Sequence, residues 1–265
     1  MSARQSTQPV LELHGITMKI NGLTALDKVS FAVQPGQIVS LIGPNGAGKT
    51  TTFNVISGYM RPTAGDVMLF GESIVGRAPE DIAQRGLVRT FQRTSVFNQS
   101  TVFDNVLTAY HLQGRSGLLA SLLRTAGFKQ DESELRAKAD EMLAFLGLSQ
   151  RADELASNLS YGEQRLLGVG IGLAACPKLL LLDEPAAGLN PSETEAFKDT
   201  IYRVSKRGVT ILLVEHDMHM VMSISDHIVV LNHGQRIATG VPREIQQNPE
   251  VIRAYLGSGL KNAKA

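Results

Sequence analysis

Residues Gly43-Pro44-Asn45-Gly46-Ala47-Gly48-Lys49-Thr50 fit the pattern G-x-x-x-x-G-K-[ST] without a mismatch. A loop of this kind needs a strand ahead of it and a helix behind it, and both are legible in the chain. Ile38 to Ile42 is a short apolar run with two β-branched residues, and Thr51 to Ser57 reads as a helix ended by Gly58. The glycines let successive backbone N–H groups turn toward a phosphate, and the helix N-terminus adds about half a positive charge. Lys49 is then placed to reach the β- and γ-phosphates and the Thr50 hydroxyl to ligate Mg²⁺. Gly43, Pro44, Asn45, Gly46, Ala47, Gly48, Lys49, Thr50 and Thr51 are therefore the candidate contacts to the phosphates of a nucleoside triphosphate.

A chain of 265 residues can bury a proper core around such a loop, with room for one α/β domain and a modest subdomain. Apolar content of 43% and charged content of 19% argue against disorder, and the longest apolar runs, Leu118 to Leu123 among them, are far short of a membrane span. No basic region followed by an apolar stretch opens the sequence, and Cys176 stands alone, so the expected compartment is the cytosol. A net charge of +1 without blocks of like sign disfavours a nucleic-acid partner.

Along the chain, Met1 to Pro9 reads as a tail, and Val10 to Ile20 and Val29 to Val33 as strands of an antiparallel edge. Asp66 to Phe70 and Leu87 to Phe91 follow as strands, with a short helix near Pro79 to Arg85. From about Thr101 to Leu159 the pattern is helical. Leu135, Ala139, Met142, Leu143 and Leu146 share one face, with Glu132–Arg136 and Glu134–Lys138 pairs on the other. The run Leu118 to Leu123 is either a core helix or a docking surface, with core packing favoured. Parallel-sheet character returns at Leu179 to Asp183, Thr210 to Glu215 and His227 to Asn232. Two short helices are expected within Pro242 to Gly257, and a loose end from Ser258.

Three further features carry chemistry. The apolar strand Leu179 to Leu182 ends in Asp183 and Glu184, and a buried strand seldom closes on two carboxylates without a use for the charge. In phosphate-loop ATPases the first holds Mg²⁺ and a following Glu polarises the attacking water. Ser160 with Glu163 three residues on matches a capping box, and a helix N-terminus with a hydroxyl and the close-approach glycine Gly162 is also an anion site. His216 emerges at the carboxyl end of a parallel strand, where open α/β sheets bind ligands. Its i,i+3 partner His219 suggests a metal pair only weakly, because no third and fourth ligand accompany the two.

Taken together, the Gly43–Thr50 loop, Gln92, Leu159 to Gln164, Asp183-Glu184 and His216 resemble the ATP-binding cassette ATPases in order and spacing. Within that family the chain is most similar to ATPase subunits of bacterial importers for branched-chain and other hydrophobic amino acids. The phrases that carry this are Arg89-Thr90-Phe91-Gln92, Pro185 to Pro191 and Val251 to Gly257. The resemblance implies an α/β phosphate-loop (RecA-like) core with a mainly parallel sheet and an antiparallel β edge. A single domain over 8–257 would have its core in 8–92 and 160–241, an inserted α-helical subdomain at about 93–159, C-terminal helices at 242–257, and flexible tails at 1–7 and 258–265. It implies MgATP, with Thr50, Gln92 and Asp183 at the metal, and Lys49, Gln92, Glu184 and His216 in catalysis. Ser160, Gly162 and Glu163 would close over the partner's ATP in a head-to-tail dimer. The implied partners are a second cassette ATPase, a heterodimer favoured over a homodimer, two transmembrane permease subunits and, indirectly, a periplasmic solute-binding protein. The implied site of action is the cytoplasmic face of the bacterial inner membrane. Lipid or lipopolysaccharide export, import of urea, amides or aromatic acids, and a soluble clamp on nucleic acid or the ribosome are the rival readings.

The chain departs from the family at several positions. Tyr161 stands where Gly is common, Glu163 where Gln is, and Asn190 where Asp often is. Ile20 occupies about the place of the adenine-stacking aromatic. An aliphatic contact there forgoes roughly one kcal/mol of stacking and implies weak discrimination between ATP and GTP.

Overall fold

The computed structural model describes residues 8–90, 96–111 and 126–262, with 126–129 and 256–262 described as backbone. Gln92, Phe91 and the run Leu118 to Leu123 lie outside the described residues. The chain forms two compact units, one comprising residues up to Arg89, Lys178–Ala187 and Ile201 onward, the other Thr90–Pro177 and Gly188–Thr200.

The first unit holds two sheets. Apolar alternation and turn chemistry build the antiparallel one in the order β2-β1-β4-β5, from β1 (Leu11–Ile20), β2 (Leu23–Val33), β4 (Ala64–Leu69) and β5 (Glu72–Ser73). The second sheet runs β10-β9-β3-β8-β7-β6. Its centre, β3 (Ile38–Ile42), β8 (Thr210–Val214) and β7 (Leu179–Asp183), is buried at every residue, which is why these segments are unbroken apolar runs. Here β3 pairs in parallel with β8 and with β9 (His227–Asn232), and β7 in parallel with β8. The register sets Leu41 opposite Val214 and Asp183 opposite Val214, so the carboxyl ends of three strands open on one edge. β6 (Leu87–Thr90) and β10 (Gln235–Gly240) complete the sheet, β10 antiparallel to β9.

Helix α1 (Lys49–Ile56) follows the glycine loop, two residues earlier than its apolar pattern predicts. α2 (Pro79–Gln84) begins on a proline at its first turn. The second unit contains α3 (Val102–His111), α4 (Ala126–Leu146), α5 (Tyr161–Ala174) and the start of α6 (Pro191–Lys206). Ala139, Met142, Leu143 and Leu146 of α4 are buried and Leu135 is half-buried, as their common face requires. On the exposed face Arg136 donates to Glu132 at 3.0 Å, while Glu134 accepts from Gln130 at 3.4 Å. α7 (Met218–Ile224) is capped by the Asp217 carboxylate, which accepts from the His219 and Met220 N–H groups.

α8 (Pro242–Gln247) and α9 (Pro249–Asn262) close the chain. α9 runs past the boundary expected at Gly257, because Val251 and Tyr255 dock it onto an apolar cluster of Ile42, Val221, Ile228, Val230 and Ile245.

Candidate nucleotide site

The glycine loop leaves β3 through a position that only glycine fits. Gly43 has φ +153°, and a Cβ there would lie 2.1 Å from the Leu231 carbonyl oxygen. Gly48 caps α1 at φ +102°, with a hypothetical Cβ 2.6 Å from Leu26 Cδ2 and 3.0 Å from the Ala25 oxygen. At both positions a side chain would strike the neighbouring Leu231, Leu26 or Ala25, so glycine lets the loop pack in the conformation whose backbone N–H groups can face a phosphate. Lys49 is 6% exposed, and its ammonium donates to the carbonyls of Gly43 (2.7 Å) and Pro44 (3.1 Å). Burial lowers its pKa below the ordinary lysine value, opposed by the charge of Glu184. A desolvated ammonium held only by neutral carbonyls would bond an anion more strongly.

At the end of β7 the two carboxylates have different surroundings. Asp183 Oδ2 accepts from Arg89 Nη2 at 2.7 Å, and both side chains are almost wholly buried. Arg89 also donates to Asn54 and Ser57 on and beside α1 and lies over the rings of Phe53 and Tyr59. Glu184 takes a left-handed backbone, φ +47°, an uncommon conformation for a residue with a Cβ, and its N–H donates to the Val214 oxygen at 2.9 Å. Its Oε1 is 2.6 Å from His216 Nε2. Asn45, Gly46, Ala47, Gly48, Lys49, Thr50, Thr51, Glu184 and His216 line one cavity of about 330 Å³, with Ala25 of β2 at its margin. Gly43, Pro44 and Asp183 adjoin this cavity in sequence without lining it. Ile20, half-buried at the end of β1, does not line it, and the β2 side is represented by Ala25 instead.

The other candidate residues belong to the second unit. Ser160 caps α5 in a complete capping box: its hydroxyl accepts from Glu163 N–H at 3.2 Å, and Glu163 Oε2 accepts from Ser160 N–H at 2.8 Å. A second acid joins this corner. Glu193 Oε1 accepts from the Ser160 hydroxyl (3.3 Å) and the Gly162 N–H (3.2 Å), and its Oε2 accepts from the Asn190 N–H (3.0 Å). These bonds, the Asn190 bond first, hold the Glu193 carboxyl below the ordinary glutamate range. An α-helix start that attracts a carboxylate in this way is suited to anions.

A family model described as ABC transporter matches residues 26–187, more than half the chain. The chain belongs to the ABC transporter family. A second model, described as Branched-chain amino acid ATP-binding cassette transporter, matches residues 235–261 of this ABC protein. It is 46% identical over 252 residues to the high-affinity branched-chain amino acid transport ATP-binding protein LivG of Escherichia coli (strain K12), covering 95% of this chain and 99% of that one. Identity and coverage are the same for the corresponding BraF protein of Pseudomonas aeruginosa. Among solved structures, the ADP conformation of MJ1267, an ATP-binding cassette of an ABC transporter, superposes with a TM-score of 0.82 at 32% identity, covering 95% of this chain and all of that one. The ABC ATPase fold, an α/β phosphate-loop core with parallel and antiparallel sheets and helices, is thus the fold of this chain.

Four residues of this ABC protein that bond or adjoin the candidate groups are unannounced by sequence reasoning. Arg89 was visible only as part of a resemblance phrase, Glu193 as one acid at a helix start, and Ala25 as a small residue in a strand. Glu215, a carboxylate closing an apolar strand beside His216, gave the same signal that singled out Asp183.

Proposed function

We propose that the chain is the ATP-hydrolysing subunit of an importer for branched-chain amino acids, working with membrane permease subunits at the cytoplasmic face of the inner membrane. The observation that carries the ATPase reading is one cavity lined jointly by the glycine loop, Lys49, Glu184 and His216, with the last two 2.6 Å apart. The solute rests on the relatives, which are branched-chain amino acid transport ATP-binding proteins over nearly their whole length. In this reading Gly43 to Gly48 and Lys49 bind the phosphates, with Thr50 and Thr51 at the start of α1.

The donor set fits a hard cation: a threonine hydroxyl on the cavity wall and an aspartate carboxylate fixed by Arg89. Thr50, Asp183 and Gln92 would hold Mg²⁺, whose charge offsets that of the phosphates when it is bound. Glu184 orients and polarises the attacking water. As the new P–O bond forms the water gives up a proton toward Glu184, the bond from the γ-phosphorus to the bridging oxygen breaks, and ADP leaves with its electron pair. His216, whose Nε2 lies 2.6 Å from Glu184 Oε1, would also hold the γ-phosphate. Ser160, Gly162 and Glu163 close over ATP bound to a second cassette, and a different ATPase chain is the proposed partner. We take residues 8–257 as one ATPase domain with a helical insertion at about 93–159.

The test uses Glu184→Gln, which keeps the shape of the site and removes the base. Nucleotide binding is expected to survive while ATP turnover falls by orders of magnitude, and the closed form should co-purify with polytopic membrane chains from mild detergent. Permease recovered in this way, reconstituted with the parent chain, should give leucine-stimulated ATP hydrolysis. Turnover of Glu184→Gln near that of the parent, or recovery of soluble proteins alone, would count against the reading.

A further inference from the structure

Glu215 is 3% exposed, directly after the last residue of β8 and directly before His216. Water does not stabilise its charge; three backbone donors do. Oε1 accepts from the Ala186 N–H at 2.7 Å, Oε2 accepts from the His216 N–H at 3.0 Å, and the Asp217 backbone is a further hydrogen-bond partner. These donors come from two separate loops, the turn that follows Glu184 and the loop that bears His216.

The turn is tight. Ala187 N–H donates to the Glu184 carbonyl at 3.2 Å, and Glu184 N–H donates to Val214 at 2.9 Å. Glu184 itself sits in the left-handed region at φ +47°, a conformation that persists only where its surroundings enforce it. The end of β8 therefore grips the turn twice, through the Val214 carbonyl before the bend and the Glu215 carboxylate after it.

We infer that Glu215 is a positioning residue for ATP hydrolysis, a buried carboxylate that brackets the Glu184 turn and the His216 loop and so fixes the spacing of these two side chains. This rests on the ATPase reading above. A carboxylate suits the place because it offers acceptors on both oxygens to converging N–H groups, whereas a carboxamide has one acceptor and turns an NH₂ toward the other donor. Burying a charge is costly even beside an ionisable His216, and a group retained at such cost is of use where its hydrogen bonds over-determine a strained conformation. Glu215 touches the backbone of His216 but none of the glycine loop, Lys49, Thr50 or Thr51, so its effect belongs chiefly in the chemical step.

The test is ATP turnover by the purified full-length chain, with any partners that accompany it, as Glu215→Gln, Glu184→Gln and the double variant. Glu215→Gln is expected to lower kcat by about 10- to 100-fold, the loss that follows a misplacement of about 1 Å, with KM for ATP and binding of a non-hydrolysable analogue within about twofold of the parent. Single-turnover rates with labelled ATP should show almost no further loss when Glu215→Gln is added to Glu184→Gln, because the group it positions is already gone. Parent-like kcat, a KM that rises in proportion, or the same fold-loss in both backgrounds would overturn the inference. If Glu215→Gln does not fold, Glu215→Asp, which keeps both acceptor oxygens one methylene short, answers the same three questions. A parent chain without ATP turnover would overturn the ATPase reading and this inference with it, whereas an active parent with an unaffected variant would overturn the inference alone.

Discussion

Arg89 and Asp183 form an ion pair removed almost entirely from water. Attraction between two such groups does not by itself make a fold more stable, since each has lost its hydration. Taking away one partner is another matter, because the remaining charge is then buried alone. Arg89→Met is accordingly expected to lower unfolding free energy by about 3–5 kcal/mol, read as a fall in urea midpoint with an unchanged slope. A loss below about 1 kcal/mol would mean that water reaches Asp183 in the variant and that the pair has little structural weight. The same side chain rests on Phe53 and Tyr59 and bonds Asn54 and Ser57. One residue of β6 thus ties the helix after the phosphate loop to the carboxylate proposed for the metal.

Among elements, the short buried strands were the most legible from sequence. Leu179–Asp183 and His227–Asn232 are strands with the boundaries their apolar runs predict, since a strand covered on both faces must be apolar throughout. β10 was not anticipated: in Gln235–Gly240 the residues are exposed or half-buried up to Gly240, and such an edge leaves little pattern to read. β2 begins at Leu23, six residues before the expected start, because its first half mixes exposed Leu23 and Thr24 with buried Leu26 and shows no clear alternation. At the site, the glycine loop is legible as a motif and Glu184 and His216 by their place at the ends of apolar strands, while Arg89 and Glu215 meet Asp183 and Ala186, far away in sequence. The final helix illustrates the same gap. Tyr255 hydrogen-bonds the Gly43 backbone, and burial pushes its hydroxyl up to about 12, so it stays protonated at any working pH. Tyr255→Phe keeps the ring and removes that bond. ATP affinity measured by calorimetry is expected to weaken several-fold, in line with a hydrogen bond of about 1 kcal/mol, at nearly constant thermal stability; unchanged affinity would separate α9 from the loop it touches.

At the scale of the whole molecule, among the described residues no helix is long and apolar enough to cross a membrane. In the importer reading, work on a solute is transmitted through surfaces that meet other chains, and the corner formed by Ser160 and Gly162 is the one proposed to receive a second cassette's nucleotide. Glu193 already occupies it. An incoming γ-phosphate and a resident carboxylate compete for the same hydroxyl and N–H, and two anions cannot share them at low cost. On that proposal Glu193 would act as a built-in antagonist, and the nucleotide concentration needed for association would depend partly on how readily its side chain swings aside. Glu193→Gln, built on Glu184→Gln and followed by size-exclusion chromatography across an ATP series, is expected to associate at several-fold lower ATP. An unshifted or rightward-shifted midpoint would show that the acid supports the corner instead of obstructing it. If the midpoint shifts as expected, Glu193 would set a threshold below which the subunit does not associate, and a cell short of ATP would halt import before the nucleotide site itself is empty.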